Sequence, residues 1–180
     1  MNIRYVFTTH KNFSTLMVFL IWVLFLFFPA NLAGGSSPVI LAFGDSLTAG
    51  FGVPDAESYP VRLQNILIEN GYPHKVINAG VSGDTTAGGV RRIKWLMKNN
   101  PEIVILELGA NDGLRGLSLQ EMESNLEKII FVCKESGAKV LLTGMKAPPN
   151  YGEEYTVEFE KTFFRLADKH KLPLVPFFLE

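Results

Sequence analysis

Three short apolar runs, each breaking into a small polar loop that contains glycine, constrain the fold of this chain more than any other feature. Val39-Ile-Leu-Ala-Phe43 runs into Gly44-Asp45-Ser46-Leu47, and Lys75-Val-Ile-Asn-Ala79 runs into Gly80-Val-Ser-Gly83-Asp84-Thr85. Ile103-Val-Ile-Leu-Glu-Leu108 runs into Gly109-Ala-Asn111-Asp112-Gly113. The first and third runs, apolar and bounded by turn residues, read as strands buried on both faces, the pattern of a parallel sheet. The second, with Lys75 and Asn78, reads as a short strand. Segments with helical spacing lie between and after them. Ser58 to Asn70 carries Tyr59, Leu63, Ile66 and Leu67, with Gly71 as a stop signal, and Thr86 to Asn99 turns Val90, Ile93 and Met97 inward before Pro101. Ser118 is the expected N-cap of a long helix through Ser136, with Glu121 completing a capping box. A fourth strand is predicted over Lys139–Thr143, a helix over Thr156–His170, and a fifth strand over Leu174–Phe177. Strands alternating with helices imply a right-handed, parallel α/β sandwich.

If the strands are parallel, the three loops gather on one rim of the sheet, where ligands bind in open α/β folds. That rim holds a serine hydroxyl, an asparagine amide and a glycine whose bare N–H a ligand can approach closely. One nucleophile, plus donors aimed where an oxyanion develops, suits acyl transfer. The blander reading of Gly44-Asp45-Ser46-Leu47 is that Asp45 and Ser46 merely cap the next helix; that stretch alone leaves both open. Other near-motifs fail on their residues. Gly80-Val-Ser82-Gly83-Asp84 has an aspartate where a nucleophile elbow needs its last glycine. Gly50-Phe-Gly52-Val-Pro54 lacks the third glycine of a dinucleotide fingerprint and sets a proline where its helix should run. No His/Cys pair has metal-ligand spacing, and Cys133, the single cysteine, reads as a small core residue.

In the order and spacing of these blocks the chain resembles the GDSL (SGNH) hydrolases, and among them the bacterial periplasmic acyl hydrolases that act as thioesterases, arylesterases and lysophospholipases. The resemblance covers about residues 38 to 180. It implies a flavodoxin-like three-layer α/β/α sandwich with a five-stranded parallel sheet. Ser46 takes the nucleophile position, and the Gly83 backbone N–H and Asn111 side chain take the oxyanion positions. No metal or cofactor is expected. Asp45 and Asp112, each beside such a residue, are expected to hold loop backbone in place, and Ala147-Pro-Pro-Asn-Tyr-Gly152 is similar to a loop near the acyl pocket. Glu107, inside a strand near its carboxyl end, should either pair with a cation, with Arg115 as a candidate, or line the site.

One family block has no counterpart. Asp-x-x-His, which carries the general base and its orienting acid, occurs nowhere in these 180 residues. The expectation is that the catalytic Asp and His, with a closing C-terminal helix, are missing from this chain, which stops after a strand-like Val175–Glu180. His10 lies in the N-terminal leader. His74 and His170 precede strand starts, on the edge opposite Ser46, and read as ordinary surface histidines. The rival to a serine ester hydrolase is therefore a non-catalytic module of the same fold that binds an acyl group or an anion.

The N-terminus is a separate element. Arg4 and Lys11 precede thirteen uninterrupted apolar residues, Leu16 to Phe28, and then Pro29, Ala30 and Ala33-Gly34-Gly35-Ser36. A basic start, a short apolar run and small residues form the pattern of a secretory signal, and thirteen falls short of the roughly 20 residues of a spanning helix. Residues 1–35 are expected to be cleaved near Ala33 or Gly34, giving a periplasmic or secreted protein, with an inner-membrane anchor as the alternative. All 18 acids and 15 of the 17 Lys and Arg follow residue 35, leaving a charge of −3. That balance gives no footprint for nucleic acid. The expected partner is a small acyl ester or acyl thioester, with membrane contact confined to the N-terminal segment and the protein a monomer.

Overall fold

The computed structural model describes residues 37–179; residues 1–36, where the leader and His10 are expected, lie outside the described residues. Five parallel strands form one sheet: β1 (Val39–Gly44), β2 (Lys75–Gly80), β3 (Pro101–Glu107), β4 (Lys139–Thr143) and β5 (Leu174–Val175), in the order β2-β1-β3-β4-β5. Six α-helices accompany them: α1 (Ser46–Ala49), α2 (Tyr59–Glu69), α3 (Thr86–Leu96), α4 (Ala110–Leu114), α5 (Leu119–Glu135) and α6 (Glu153–His170). The direction in which successive strands are added across the sheet reverses between β1→β2 and β2→β3. Right-handed crossovers then place α2 on one face and α3, α5 and α6 on the other.

Alternation along the strands builds the core on the three-helix face. Leu41 and Phe43 of β1, Val104 and Leu106 of β3, and Val140 and Leu142 of β4 pack with Ile93, Leu126, Ile129, Phe159 and Phe163. Cys133 is fully buried in the same cluster, and burial pushes its thiol up to about 12. It is the inert core residue expected.

The differences from the expected elements have local causes. β5 stops after two residues because Pro176 cannot extend a ladder. β3 starts two residues early, at Pro101, a position a strand tolerates for proline. α6 begins at Glu153 rather than Thr156, with two acids in its first turn favoured by the helix dipole. Ser118 does cap α5, accepting the Glu121 N–H at 3.3 Å. The return bond that would complete a capping box is not among the hydrogen bonds of the described residues. Ile66 is 56 % exposed, so α2 turns only part of its apolar set toward the sheet. Among the described residues, no helix is long and apolar enough to cross a membrane.

Candidate active site

The register of the sheet levels the three loops. Gly44 of β1 lies opposite both Gly80 of β2 and Glu107 of β3, so all three strands end in one row. From there the first loop turns at once into α1. Asp45 is its N-cap, and Oδ1 accepts the Leu47 N–H at 3.1 Å. Ser46 follows as the first helical residue and stays half-buried while Asp45 and Thr48 are buried. Gly44 is needed here for space. A Cβ would lie 2.0 Å from Thr48 Oγ1 and 2.4 Å from Glu107 Oε2.

The second loop folds as a turn in which the Asp84 N–H donates to the Val81 carbonyl at 3.0 Å. Gly83 sits at the third position with φ 79°, where L-residues are strained and glycine is the usual occupant. Space is not the reason, since the nearest atom to an added Cβ is Arg115 Nη2 at 3.6 Å. In the third loop Asn111 belongs to α4, and its amide joins the other two loops. Nδ2 donates to Asp45 Oδ2 at 2.9 Å and to the Asp84 carbonyl at 3.0 Å. Asp112 accepts both the Thr86 N–H at 2.9 Å and Thr86 Oγ1 at 2.6 Å, which fixes the start of α3 behind the second loop.

Ser46, Gly83 and Asn111 therefore share one rim, with Asp45 and Asp112 bonded to the backbone and side chains around them. His74 and His170 do not join them. His74 stands before β2, 3.8 Å from Glu102, and His170 ends α6, 3.9 Å from Glu127. Both are half-buried with one buried, unpartnered ring nitrogen, rather than plain surface residues. Among the described residues, no group of three His, Cys, Asp or Glu side chains has the geometry to hold a metal.

The pairing of Glu107 with Arg115 is not observed. Arg115 Nη2 donates instead to the Gly83 carbonyl at 2.8 Å, tying the third loop to the second. Glu107 is fully buried behind the first loop, where Oε2 accepts Thr48 Oγ1 at 2.7 Å and the Asp45 N–H at 3.2 Å. Burial, and then the Asp45 carboxylate, push its carboxyl up to about 8. Burial also raises Asp45, against the pull of the Leu47 N–H and the Asn111 amide.

Arg92, a residue the motifs do not mark, holds the strand ends from α3. Its Nε donates to Asp84 Oδ2 at 2.7 Å, Nη1 to the Ala79 carbonyl at 2.5 Å and Nη2 to the Gly44 carbonyl at 2.8 Å. The guanidinium carbon also lies 4.3 Å from the centroid of the Phe43 ring. A signal exists in the sequence: helical spacing puts position 92 beside the inward stripe of Gly89, Ile93 and Leu96, where a cation needs acceptors.

The 147–152 loop reaches the same rim. The Tyr151 hydroxyl donates to the Leu114 carbonyl, and the Tyr155 hydroxyl to that of Leu117 at 3.1 Å. A groove of about 540 Å³ runs beside it, lined by Leu119, Tyr151, Tyr155 and the acids Glu153, Glu154 and Glu158.

A parallel α/β sheet with a serine, a glycine turn and an asparagine on its carboxyl rim defines a class of acyl hydrolases. Residues 42–180 match the GDSL-like lipase/acylhydrolase family, and the chain belongs to that family. It is 43 % identical to an arylesterase of Vibrio mimicus over 158 residues, which covers 87 % of this chain and 79 % of the relative. It is 36 % identical to thioesterase 1/protease 1/lysophospholipase L1 of Escherichia coli K12 over 183 residues, covering 80 % of that protein. The crystal structure of AlinE4, an SGNH-hydrolase family esterase, superposes with a TM-score of 0.76 at 50 % identity, covering 81 % of this chain and 78 % of the other.

Proposed function

We propose that this ester hydrolase acts through Ser46 as its nucleophile, with the Gly83 N–H and the Asn111 amide as oxyanion donors. The observation that carries the assignment is the Asn111 side chain. It binds the residue before Ser46 and the residue after Gly83 at the same time. The half-buried Ser46 hydroxyl attacks an acyl carbonyl, and the developing oxyanion is met by Gly83, Asn111 and the Ser46 N–H. Both Nδ2 hydrogens of Asn111 already have acceptors. The bond to Asp45 fixes the amide plane, and the bond to the Asp84 carbonyl is the one an oxyanion shares or displaces. Asp45 and Asp112 hold these donors in place and do not touch the substrate.

The proton of Ser46 requires a base. His74 and His170 lie ahead of strand starts while Ser46 follows a strand end, and the family resemblance assigns that role to an Asp-x-x-His block that does not occur in Met1–Glu180. Small acyl esters, aryl esters and acyl thioesters are the substrate class, in keeping with the names of the relatives. With residues 1–35 as its leader the protein acts in the periplasm or is secreted, as a monomer.

The test uses the protein expressed from its complete coding sequence. It should hydrolyse p-nitrophenyl esters and become labelled at Ser46 by an organophosphate, and Ser46→Ala should abolish both. Unchanged turnover in that variant would remove Ser46 from the mechanism.

A further inference from the structure

Glu107 ends β3 directly behind the nucleophile turn, and nothing in the reaction above uses its carboxyl. Oε2 is committed to the Asp45 N–H and Thr48 Oγ1, and Thr48 Oγ1 lies 3.2 Å from the Tyr59 hydroxyl on α2. Oε1 is buried and meets no donor. No counter-ion reaches the group among the described residues. The Arg92 guanidinium on α3 directs its donors to Asp84, Ala79 and Gly44, and Arg115 binds the Gly83 carbonyl. From β4, Thr143 Oγ1 donates to the Leu106 carbonyl instead. Among the described residues its charged neighbour is Asp45, which is buried too.

We propose that Glu107 is a positioning residue held as a neutral acid, whose Oε2 anchors the nucleophile turn at Asp45 and Thr48 while the proton on Oε1 spares Asp45 a second negative charge. A fully buried carboxylate without a counter-ion is strongly disfavoured, and two adjacent carboxyls do not both ionise easily. Asp45 is the member that keeps the charge, because Leu47 N–H and Asn111 Nδ2 donate to it. Glu107, with a bare Oε1, is the member that keeps the proton. Burial and the neighbouring Asp45 carboxylate push its carboxyl up to about 8, just above neutrality. Burial also raises the Tyr59 hydroxyl, so Tyr59 remains an O–H that donates to Thr48, and Thr48 donates on to Glu107.

Ionisation of Glu107 puts a second anion beside Asp45 and strains the turn that carries Ser46. Turnover should therefore fall as pH rises through about 8. This consequence rests on the assignment of Ser46 as nucleophile; the site of the proton does not.

Glu107→Gln is the isostere of the neutral acid: its carbonyl accepts the two donors, and its NH₂ stands where the proton was. In the protein from the complete coding sequence, E107Q should keep kcat within about threefold of the parent near neutrality and lack the parent's alkaline fall. kcat is the right readout because it reports groups that titrate in the bound complex. Thr48→Val and Glu107→Ala should each lower kcat at least about tenfold, with KM nearly unchanged, as loss of positioning does. An alkaline limb retained in E107Q, or E107Q as damaged as E107A, overturns the proposal.

A second measurement needs no turnover. The infrared difference between parent and E107Q near neutral pH should contain the carbonyl band of a buried protonated carboxyl, and its absence overturns the assignment of the proton. If the parent shows no Ser46-dependent turnover, the nucleophile assignment falls while the infrared result still decides Glu107.

Discussion

Arg92 offers the most direct test of what holds the rim together. Its guanidinium makes three hydrogen bonds, to one carboxylate and two strand-end carbonyls, with side-chain exposures of 20 % for Arg92 and 11 % for Asp84. Hydrogen bonds to a charged group contribute about 1.5–3 kcal/mol each but do not simply add. Removing one partner of a buried ion pair costs about 3–5 kcal/mol, because the other charge is left uncompensated. Partial exposure of Arg92 argues for the lower part of that range, so Arg92→Met should destabilise the protein by about 3 kcal/mol. That is a large share of a typical stability of about 5–15 kcal/mol. Arg92→Lys keeps a charge near Asp84 but loses the planar fork that reaches both carbonyls, and should forfeit about half as much. Urea unfolding followed by circular dichroism measures both. The turnover of Arg92→Lys should also drop, since a displacement of about 1 Å at a reacting group can cost about 100-fold. An Arg92→Met unfolding free energy within about 0.5 kcal/mol of the parent would refute the reasoning and mean that water satisfies the three acceptors.

Asn111→Ala should lower kcat on p-nitrophenyl esters by about 100- to 1000-fold, as for a lost oxyanion donor, and a loss under about fivefold would remove it from that role. Stability should fall as pH rises from about 4.5 to about 8, because over that window the unfolded chain releases the Glu107 proton that the folded chain retains. Urea titrations across that range should show a slope that flattens above about 8, and a much weaker slope for E107Q. Exported from a bacterium, the protein should show by mass spectrometry a new N-terminus between Asn31 and Ser37; recovery only in membranes with Met1 intact would establish the anchor.

The strands, the three loops and the positions of Ser46, Gly83 and Asn111 were legible because each is a contiguous string with its own local chemistry. The ends of elements were less so. Pro176 shortens β5 and Pro101 opens β3, both by the same missing donor, yet the apolar run around each gives no sign of which ladder bonds it will need. Ile66 shows a further limit. Helical spacing assigns it to an apolar set with Leu63 and Leu67, but whether a neighbour covers that side depends on the sheet beneath, which local periodicity does not encode.

The contacts that make the rim a single unit were not legible at all, because they close over long separations. Asn111 meets Asp45 across 66 residues, Glu107 meets Asp45 across 62, and Arg92 meets Gly44 across 48. Arg91 and Arg92 are the same residue type side by side. One is exposed and the other ties the ends of β1 and β2 to the second loop, and only the facing of α3 separates them.

Asp45 shows why the two sequence readings of the first loop could not be separated. A cap is a local bond, two residues along the chain, and aspartate before a helix announces it. Oδ1 makes that bond to the Leu47 N–H, so the bland reading holds. Oδ2 of the same carboxylate holds Asn111, which becomes visible only when β1 and β3 lie side by side. The cap and the site are not rivals. The bond to Leu47 fixes the rotamer of Asp45, and that rotamer aims Oδ2 at the amide. A substitution that loses the cap should therefore also loosen Asn111, even though the two lie at opposite ends of a 66-residue stretch.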